Sequence, residues 1–567
     1  MVMVFISTII GLILFPNNAP KVFGTALLAT FVFGFVNEDE LVNSITNQGV
    51  LSLVLLLLAS NAVEKTSAIR WLSGKVDSNK FSFAWIKLYV FTAFSSAFLN
   101  NTAVVATLLS PIRNNRNLPG GKLLIVLTYA AILGGTLTLV GTSTNLLVNS
   151  MLIETGHTGF SFFSFSLIGI IVTVVCAFII YLVSTRVESN GISQDSVESY
   201  LLNAKVRADS SLIGMKVKDA NLRHLESLFL VEIVRDGKVI RPVTPEHSIR
   251  QSDRLVFCGD VKEFGQLKQF SGLELMPEED ELTTRQMTEV VIRQNSALVG
   301  KTLKQSDFRA KFNAAVIAIK RDGVSLGGKL GDIKLELGDF LVLATGQDFK
   351  NRQNLKKNFI IVSGVEPNHK LVGKKQLVPV LGFTAAILAA ATGILSLFKA
   401  LVLLLAVNLL TKSIQLQDVR QRFPFEIWLI VSSALVIAHG LDNAGVVQAI
   451  ANFSDFSLTA DNAFNFIVVL FLVTLVLTEL ITNNAAAALM FPFAYSLPVM
   501  FNLDPIPFVI AVVFGANASF ISPFSYQTNL MVFNAGQYKL EQFVKAGLPV
   551  SITYAVTVLL CLKVIYF

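Results

Sequence analysis

Charge is what this chain has least of. Asp, Glu, Lys and Arg together make up 15% of its 567 residues, against roughly 25% in an ordinary soluble domain. A water-facing surface cannot be built over most of such a chain. Cysteine is scarce too. Cys176, Cys258 and Cys561 lie far apart, which argues against a disulfide framework or a zinc cluster. The five histidines show no metal spacing, and His157 and His439 read as loop residues. No nucleophile–base pair or metal set emerges, so enzymatic chemistry has the least support. The net charge of +7 is small for this length. It reads as lysine and arginine in loops rather than as a nucleic-acid patch. The apolar N-terminus, Met1 to Phe15, has no basic leader and no small-residue cleavage site. It reads as a first helix, not a signal peptide.

What is abundant is apolar side chain, 53% of residues, with a mean hydropathy of +0.61. It falls in two blocks, residues 1–187 and 373–567, separated by a charged stretch of soluble character. The pattern predicts a polytopic α-helical membrane protein. Crossings are expected near 2–15, 20–37, 48–66 and 160–185, with a polar-tipped segment at 81–112 and a glycine-broken one at 122–150. The last block repeats the plan at 376–396, 398–411, 424–441, 464–500, 506–535 and 545–566.

The repeat is written in short motifs. Leu99-Asn100-Asn101-Thr102-Ala103 returns as Ile481-Thr482-Asn483-Asn484-Ala485, and Thr144-Asn145-Leu146-Leu147-Val148 as Thr528-Asn529-Leu530-Met531-Val532. A polar-tipped segment is either one spanning helix or a re-entrant hairpin, and flanking charge separates the two. Arg70, Lys75 and Lys80 precede the first tip and Arg113, Arg116 and Lys122 follow it. Both flanks are basic, so both are expected on the cytoplasmic side. Around the second tip Asp442, Asp455, Asp461 and Asp504 replace them, and both flanks are expected outside. Glu38, Asp39 and Glu40 then fall outside, and Lys412, Arg420, Arg422, Lys539 and Lys545 inside; Lys399 is the exception. Each half has five crossings and one hairpin, and the odd number inverts the second half relative to the first. Paired broken-helix sites in two inverted halves are the pattern of a secondary transporter with its binding site between the halves.

The charged stretch, cytoplasmic in this topology, is itself a repeat. Leu212-Ile213-Gly214 matches Leu298-Val299-Gly300, Arg235-Asp236-Gly237 matches Arg321-Asp322-Gly323, and Asp253-Arg254-Leu255-Val256 matches Asp339-Phe340-Leu341-Val342, at a constant offset of 86 residues. Apolar runs before each Asp-Gly turn read as strand pairs. Two small α+β units are expected, at 195–280 and 281–365. The Arg-Asp-Gly segments read as hairpin turns. No Gly-x-Gly-x-x-Gly opens a helix there, so a nucleotide-binding half-fold is not evident.

Irregular backbone at membrane depth is tolerated only where it lines a cavity or is buried in protein. Asn, Ser and Thr oxygens suit a hard cation, and free N–H groups at helix starts suit an anion. Four helix N-termini at roughly +0.5 charge each would offset a dianion without arginine. Bringing a dianion into a cell against 100 mV costs roughly 4.6 kcal/mol. Two monovalent cations cancel that cost and a third makes entry favourable. Against this stands the plain alternative that Asn101 and Asn483 only hydrogen-bond between helices; two matched tips with opposite flanking charge favour a site. Glu479, ionisable at membrane depth, reads equally as a functional or a structural acid.

The two tips and the two breaks resemble the divalent anion:sodium symporter family of the ion-transporter superfamily. By that resemblance one sodium site falls on Ser96, Asn100, Asn101 and Gly141, and the other on Thr478, Ile481, Asn483 and Ser525. Substrate contacts fall on Asn100, Asn101, Thr102 and Thr142 in the first half and on Thr482, Asn483, Asn484 and Tyr526 in the second. The family's Pro-Pro-Asn breaks are here Ser143-Thr144-Asn145 and Gln527-Thr528-Asn529, and its usual threonine is Tyr526; dicarboxylate-type members keep the prolines. The insert resembles two TrkA-C domains, which implies the sulfate-transporting branch and a nucleotide as a ligand of the insert. The resemblance further implies a homodimer in the cell inner or plasma membrane, an elevator motion, sodium as coupling ion and no other cofactor. Rival readings are a di- or tricarboxylate symporter, a sodium/proton antiporter with Glu479 as shuttle, and a gated channel.

Overall fold

The computed structural model describes residues 1–15, 18–66, 80–113, 120–187, 201–220, 222, 228–236, 238–240, 243–259, 267, 270–276, 287–293, 296–321, 324–326, 330–346, 348–352, 354–363, 371, 376–446, 449, 459 and 462–567. Arg70, Lys75, Arg116, Asp455 and Asp461, used for the expected topology, lie outside the described residues. So do the turn residues Gly237, Asp322 and Gly323 and the expected domain edges at 195, 280, 281, 365 and 373.

The first apolar block folds into α1 (Val2–Leu14), α2 (Ala19–Val32), α3 (Glu38–Thr46), α4 (Gln48–Glu64), α5 (Phe81–Phe98), α6 (Asn101–Arg113), α7 (Gly120–Gly135), α8 (Ser143–Glu154) and α9 (Ser166–Arg186). The last folds into α10 (Leu377–Ala391), α11 (Leu397–Leu410), α12 (Leu416–Arg422), α13 (Phe425–Asn443), α14 (Ala463–Leu480), α15 (Asn483–Met500), α16 (Ile506–Ala516), α17 (Gln527–Gly536) and α18 (Leu540–Tyr566). Element for element the second series repeats the first. The short helices α3 and α12 were not foreseen. α3 starts at a reciprocal cap, in which the Glu40 N–H donates to Asn37 Oδ1 (2.8 Å) and the Asn37 N–H to Glu40 Oε2 (2.9 Å). Asn followed three residues later by Glu is a sequence-level start signal.

Five stretches among the described residues are long and apolar enough to cross a bilayer: 38–63, 166–186, 425–443, 463–480 and 540–566. On α9, Leu167, Ile170, Val174 and Phe178 are 55–66% exposed. Their spacing puts them on one helical face, and an apolar face of that kind suits lipid. By contrast α6, α8, α16 and α17 have 13, 12, 11 and 10 residues, too few for a core that needs about 20. Of these, α6, α8 and α17 carry the first tip and both breaks, while the second tip opens the 18-residue α15.

The packing is paired in the same way. α5 lies on α7 as α14 lies on α16, and α6 on α7 as α15 on α16. Across the halves α2 packs on α13, α4 on α11 and α9 on α18. One buried apolar cluster runs through both halves. In each half the loop that follows α7 or its repeat partner α16 presses its backbone on a glycine of the last helix. Thr136 meets Gly169 and Phe520 meets Gly547, so close that a Cβ at either glycine would collide with a carbonyl oxygen.

The charged stretch holds two antiparallel five-stranded sheets. The first is ordered β3-β2-β4-β1-β5 from β1 (Leu201–Val206), β2 (Leu228–Arg235), β3 (Lys238–Ile240), β4 (Arg254–Gly259) and β5 (Leu273–Met276). The second runs β10-β6-β9-β7-β8 from β6 (Met287–Ile292), β7 (Ala314–Arg321), β8 (Val324–Ser325), β9 (Phe340–Thr345) and β10 (Phe359–Ser363). Strand for strand the order is the same. Both sheets bulge at the same place, between Leu230 and Glu232 and between Val316 and Ala318. In both, an arginine closes the sheet on a fully buried aspartate: Arg235 Nε lies 2.8 Å from Asp253 Oδ1, and Arg321 Nε 2.8 Å from Asp339 Oδ1. The arginine of each Arg-Asp-Gly segment is thus a structural clasp.

The second sheet is buried on both faces. Val290, Val316, Ile319 and Leu341 form its own core, whereas Val291, Ala315, Phe340 and Val342 join the apolar cluster of the membrane helices. There Arg113, the last residue of α6, pairs with Glu289 of β6 through both terminal nitrogens. Its guanidinium carbon sits 4.9 Å from the centre of the Phe340 ring. Next to it Lys320 reaches Gln537, just beyond α17 (3.4 Å). Burial and the nearby Arg113 charge hold the Lys320 ammonium below the usual lysine range, although Glu289 pulls the other way.

Candidate functional site

Each tip is a two-residue junction between helices, and each second helix starts at an asparagine. Asn101 opens α6 and Asn483 opens α15, both 4% exposed. In the first half the Ser96 hydroxyl lies 2.5 Å from Asn101 Oδ1 and 2.9 Å from the Ala131 carbonyl. In the second the Thr478 hydroxyl lies 3.1 Å from Asn483 Oδ1 and 2.7 Å from the Ala516 carbonyl, and the Ser519 hydroxyl donates to Asn483 Oδ1 at 2.7 Å. Each half thus gathers a hydroxyl, a carboxamide oxygen and a main-chain carbonyl into one buried spot. A single hydroxyl proton cannot serve both acceptors at once, and several oxygens at this spacing suit a small hard cation.

The tips also reach across. Asn101 Nδ2 donates to the Tyr526 hydroxyl (2.9 Å), and the Thr102 hydroxyl to Gln527 Oε1 (3.4 Å). Asn484 Oδ1 accepts from the hydroxyls of Ser143 (3.2 Å) and Thr144 (3.1 Å). Each tip therefore touches the other half's broken helix, α6 bonding to the start of α17 and α15 to the start of α8, and Ser519, bonded to both Asn529 of α17 and Asn483 of α15, joins the two pairs into one chain. Asn101 and Asn483 are linked through that chain rather than by direct contact.

Two asparagines hold the breaks. Asn145 Nδ2 donates to the carbonyls of Gly135 (3.2 Å) and Thr138 (2.9 Å), and Asn529 Nδ2 to those of Ser519 (2.9 Å) and Ser522 (3.3 Å). Their oxygens face the other half: Asn517 Nδ2 donates to Asn145 Oδ1 (2.9 Å), and the Thr128 hydroxyl to Asn529 Oδ1 (2.7 Å).

Glu479 is a structural plug in this arrangement. Its Oε1 accepts the N–H groups of Phe520 and Ile521 (2.9 Å each), and its Oε2 that of Ser522 (2.7 Å). These are main-chain donors of a broken helix, with no helical partner of their own. Ser525 belongs to this plug. Its hydroxyl bonds the Ser522 carbonyl at 3.0 Å and faces Glu479 Oε2 at 3.5 Å, and Ser519 stands beside Asn483 instead. Gly141 packs on the Gly135 backbone, which in turn packs on the Asn101 side chain. Ile481 ends α14, its N–H held by the Leu477 carbonyl at 2.8 Å. Asn100 Oδ1 caps α6 by accepting the Thr102 N–H at 2.9 Å. Thr482 holds the matching place before α15, yet its buried hydroxyl oxygen has no partner among the described residues. A small cavity lies between Asn100, Gly141, Thr142 and Ser143 on one wall and Leu53 and Leu57 of α4 on the other.

Sequence reasoning passed over Ala131, Ala516 and Ser519, which stand in the oxygen clusters, and Thr128 and Asn517, which cross between halves. Only the last two carried a signal, as polar residues inside apolar helical runs.

The chain belongs to the citrate transporter family, whose model matches residues 2–503. It is similar to an uncharacterized transporter of Synechocystis, 26% identical over 96% of this chain and 93% of that one. It is also similar to sodium/sulfate cotransporter 1 of Chlamydomonas reinhardtii, 28% identical over 64% of this chain and 43% of that one. The sodium-dependent dicarboxylate transporter SdcS of Staphylococcus saprophyticus shares 24% identity over 26% of this chain and 28% of its own. Family and relatives are transporters, and the protein is an integral membrane transporter, not an enzyme.

Proposed function

We propose that the protein couples sodium to the import of a divalent oxyanion, sulfate before others, by an elevator motion. One observation carries this reading: four helix N-termini meet between two buried oxygen clusters, one in each half. N–H-rich helix starts attract an anion, and the oxygen clusters attract small cations. On this reading Ser96, Asn100, Asn101 and Gly141 hold one sodium, and Thr478, Ile481, Asn483 and Ser525 the other. Ser519 joins the second set and the Ala131 carbonyl the first. Asn100, Asn101, Thr102, Thr142, Thr482, Asn483, Asn484 and Tyr526 surround the anion.

Inverted halves with re-entrant hairpins are part of the proposal. In support, α6 and α17 end against the insert. Their repeat partners α15 and α8 end near one another, where the Tyr495 hydroxyl donates to the Thr155 carbonyl (3.4 Å). The insert is then cytoplasmic and regulatory, in two TrkA-C-like domains at 195–280 and 281–365. A nucleotide is the ligand class the resemblance implies for it, and a homodimer the assembly. Sulfate is favoured by the relative named a sodium/sulfate cotransporter. A di- or tricarboxylate is the second reading, favoured by the family's description as citrate transporters. The main-chain donors filling both Glu479 oxygens speak against a proton-shuttling antiporter.

Uptake of radiolabelled anion into proteoliposomes tests the reading. Sodium-dependent sulfate uptake, blocked by excess thiosulfate, is expected. Competition by succinate or citrate would move the substrate to the second reading. Sodium-driven proton movement with no anion present would reject symport.

A further inference from the structure

The insert is attached to particular helices. Across its boundary with the membrane helices, β10 meets α6 and β6 meets α17. These helices come from opposite halves, and their N-termini hold Asn101 and the Tyr526–Gln527 pair, which bond each other. The docking is dry: the Arg113 side chain is 3% exposed, is held by Glu289 and is covered by Phe340. At α17, Gly338 lies against Asn534 and Leu530. The surrounding helices make contacts of their own, and α4 also packs on the broken helix α8. α12 is tied to α4 through Lys65 and Asp418 (2.6 Å), and α4 packs on α11 and α10. On this side the chain returning from the insert makes a main-chain bond, the Leu371 N–H to the Lys65 carbonyl (3.1 Å).

We propose that the second sheet of the insert is carried by α6 and α17 and moves with them as one body relative to the frame built on α4, α11 and α12. The inference rests on the elevator reading and adds what that reading leaves open: which part of the transporter the insert is fastened to. Removing one partner of a buried ion pair leaves the other charge without compensation, so Arg113 and Glu289 are the latch of this docking. A ligand that reshapes the insert then acts directly on the moving part, not on the frame.

Spin labels test this in the full-length protein, with Cys176, Cys258 and Cys561 replaced. Suitable exposed positions are Lys304 in the insert (side chain 70% exposed), Glu541 at the start of α18 (72%) and Leu416 on α12 (68%). Pairwise distances are measured by pulsed electron spin resonance with sodium and sulfate and with neither. The start of α18 packs on α17 through Phe543 and Phe533 (ring centroids 5.8 Å apart), so the 541–416 pair reads whether α17 moves against the frame. If it does, the 304–416 distance is expected to shift with it and the 304–541 distance to stay put. A 304–541 shift with 304–416 fixed overturns the inference and leaves the elevator standing. A fixed 541–416 distance sinks the elevator, and the inference with it. Glu289→Ala is expected to broaden the 304–541 distribution at least twofold, and the exchange Arg113→Glu with Glu289→Arg to narrow it again. An unbroadened distribution in Glu289→Ala would remove the pair's role as latch.

Discussion

Replacing Glu479 by glutamine should loosen one loop while leaving the oxygen clusters intact. The carboxylate accepts three main-chain N–H groups, two on Oε1 and one on Oε2. A hydrogen bond to a charged group contributes roughly 1.5–3 kcal/mol. Glutamine keeps one acceptor oxygen, so the Phe520 and Ile521 donors stay paired. Its amide nitrogen then faces the Ser522 N–H, donor against donor, and that bond is lost with nothing in its place. The expected loss is about 1.5–3 kcal/mol, a large part of the roughly 5–15 kcal/mol by which a folded protein is stable. Glu479→Ala removes the carboxylate from all three N–H groups, of which only that of Phe520 keeps another acceptor, the Ala518 carbonyl at 3.2 Å, and should cost roughly twice as much. Thermal unfolding of detergent-purified protein, followed by intrinsic fluorescence, reads the order: wild type, then glutamine, then alanine. Sodium-coupled uptake by the glutamine variant should persist at a reduced rate, because Asn101, Asn483, Ser96 and Thr478 are untouched. Unfolding temperatures unchanged in both variants would refute the plug. Unchanged stability together with lost sodium-driven proton movement would restore Glu479 as a proton shuttle.

Three further outcomes are expected. Asn101→Ala and Asn483→Ala should each abolish coupled uptake with normal elution on size exclusion, since each removes the carboxamide oxygen of its cluster; wild-type uptake by both would reject the site. Deleting residues 195–365 with a suitable linker should alter the regulation of uptake but not its sodium dependence, which the same vesicle assay measures; loss of that dependence would count against a purely regulatory insert. Lys320→Met should stabilise the docked insert by on the order of 1 kcal/mol, because it removes one of two buried cations beside a single carboxylate; slower proteolysis of the insert would show it, and faster cleavage would count against it.

The helix order was legible because membrane helices announce themselves by apolar length, and the junctions because Asn100-Asn101-Thr102 and Thr482-Asn483-Asn484 interrupt it. The insert's duplication was legible from Arg235 and Arg321 at constant offset. The amphipathic helices α3 and α12 were lost because seven to nine polar-faced residues look like loop, although Asn37 and Glu40 spelled out a start. The clusters were half legible. The hydroxyls of Ser96 and Thr478 each sit five residues before the asparagine they bond. The Ala131 and Ala516 carbonyls carry no side-chain signal at all, and Ser519 depends on how the backbone turns in space. Arg113 shows a different limit. As a sequence letter it marked a membrane side; in the structure it fastens the insert to a tip-bearing helix.

The grip of Asn145 and Asn529 has a wider consequence. The nitrogen of each amide clasps carbonyls, ten and seven residues upstream. Between those anchor points and the helix starts run Thr136–Thr142 and Phe520–Tyr526, which have no residue in common at matching positions. The fastening is blind to which side chains hang from the ribbon it fastens. On the proposed reading, side chains facing the cargo can differ between the two ribbons while the same pair of carbonyls stays fastened, except at positions such as Gly141, where the Gly135 backbone leaves no room for a side chain.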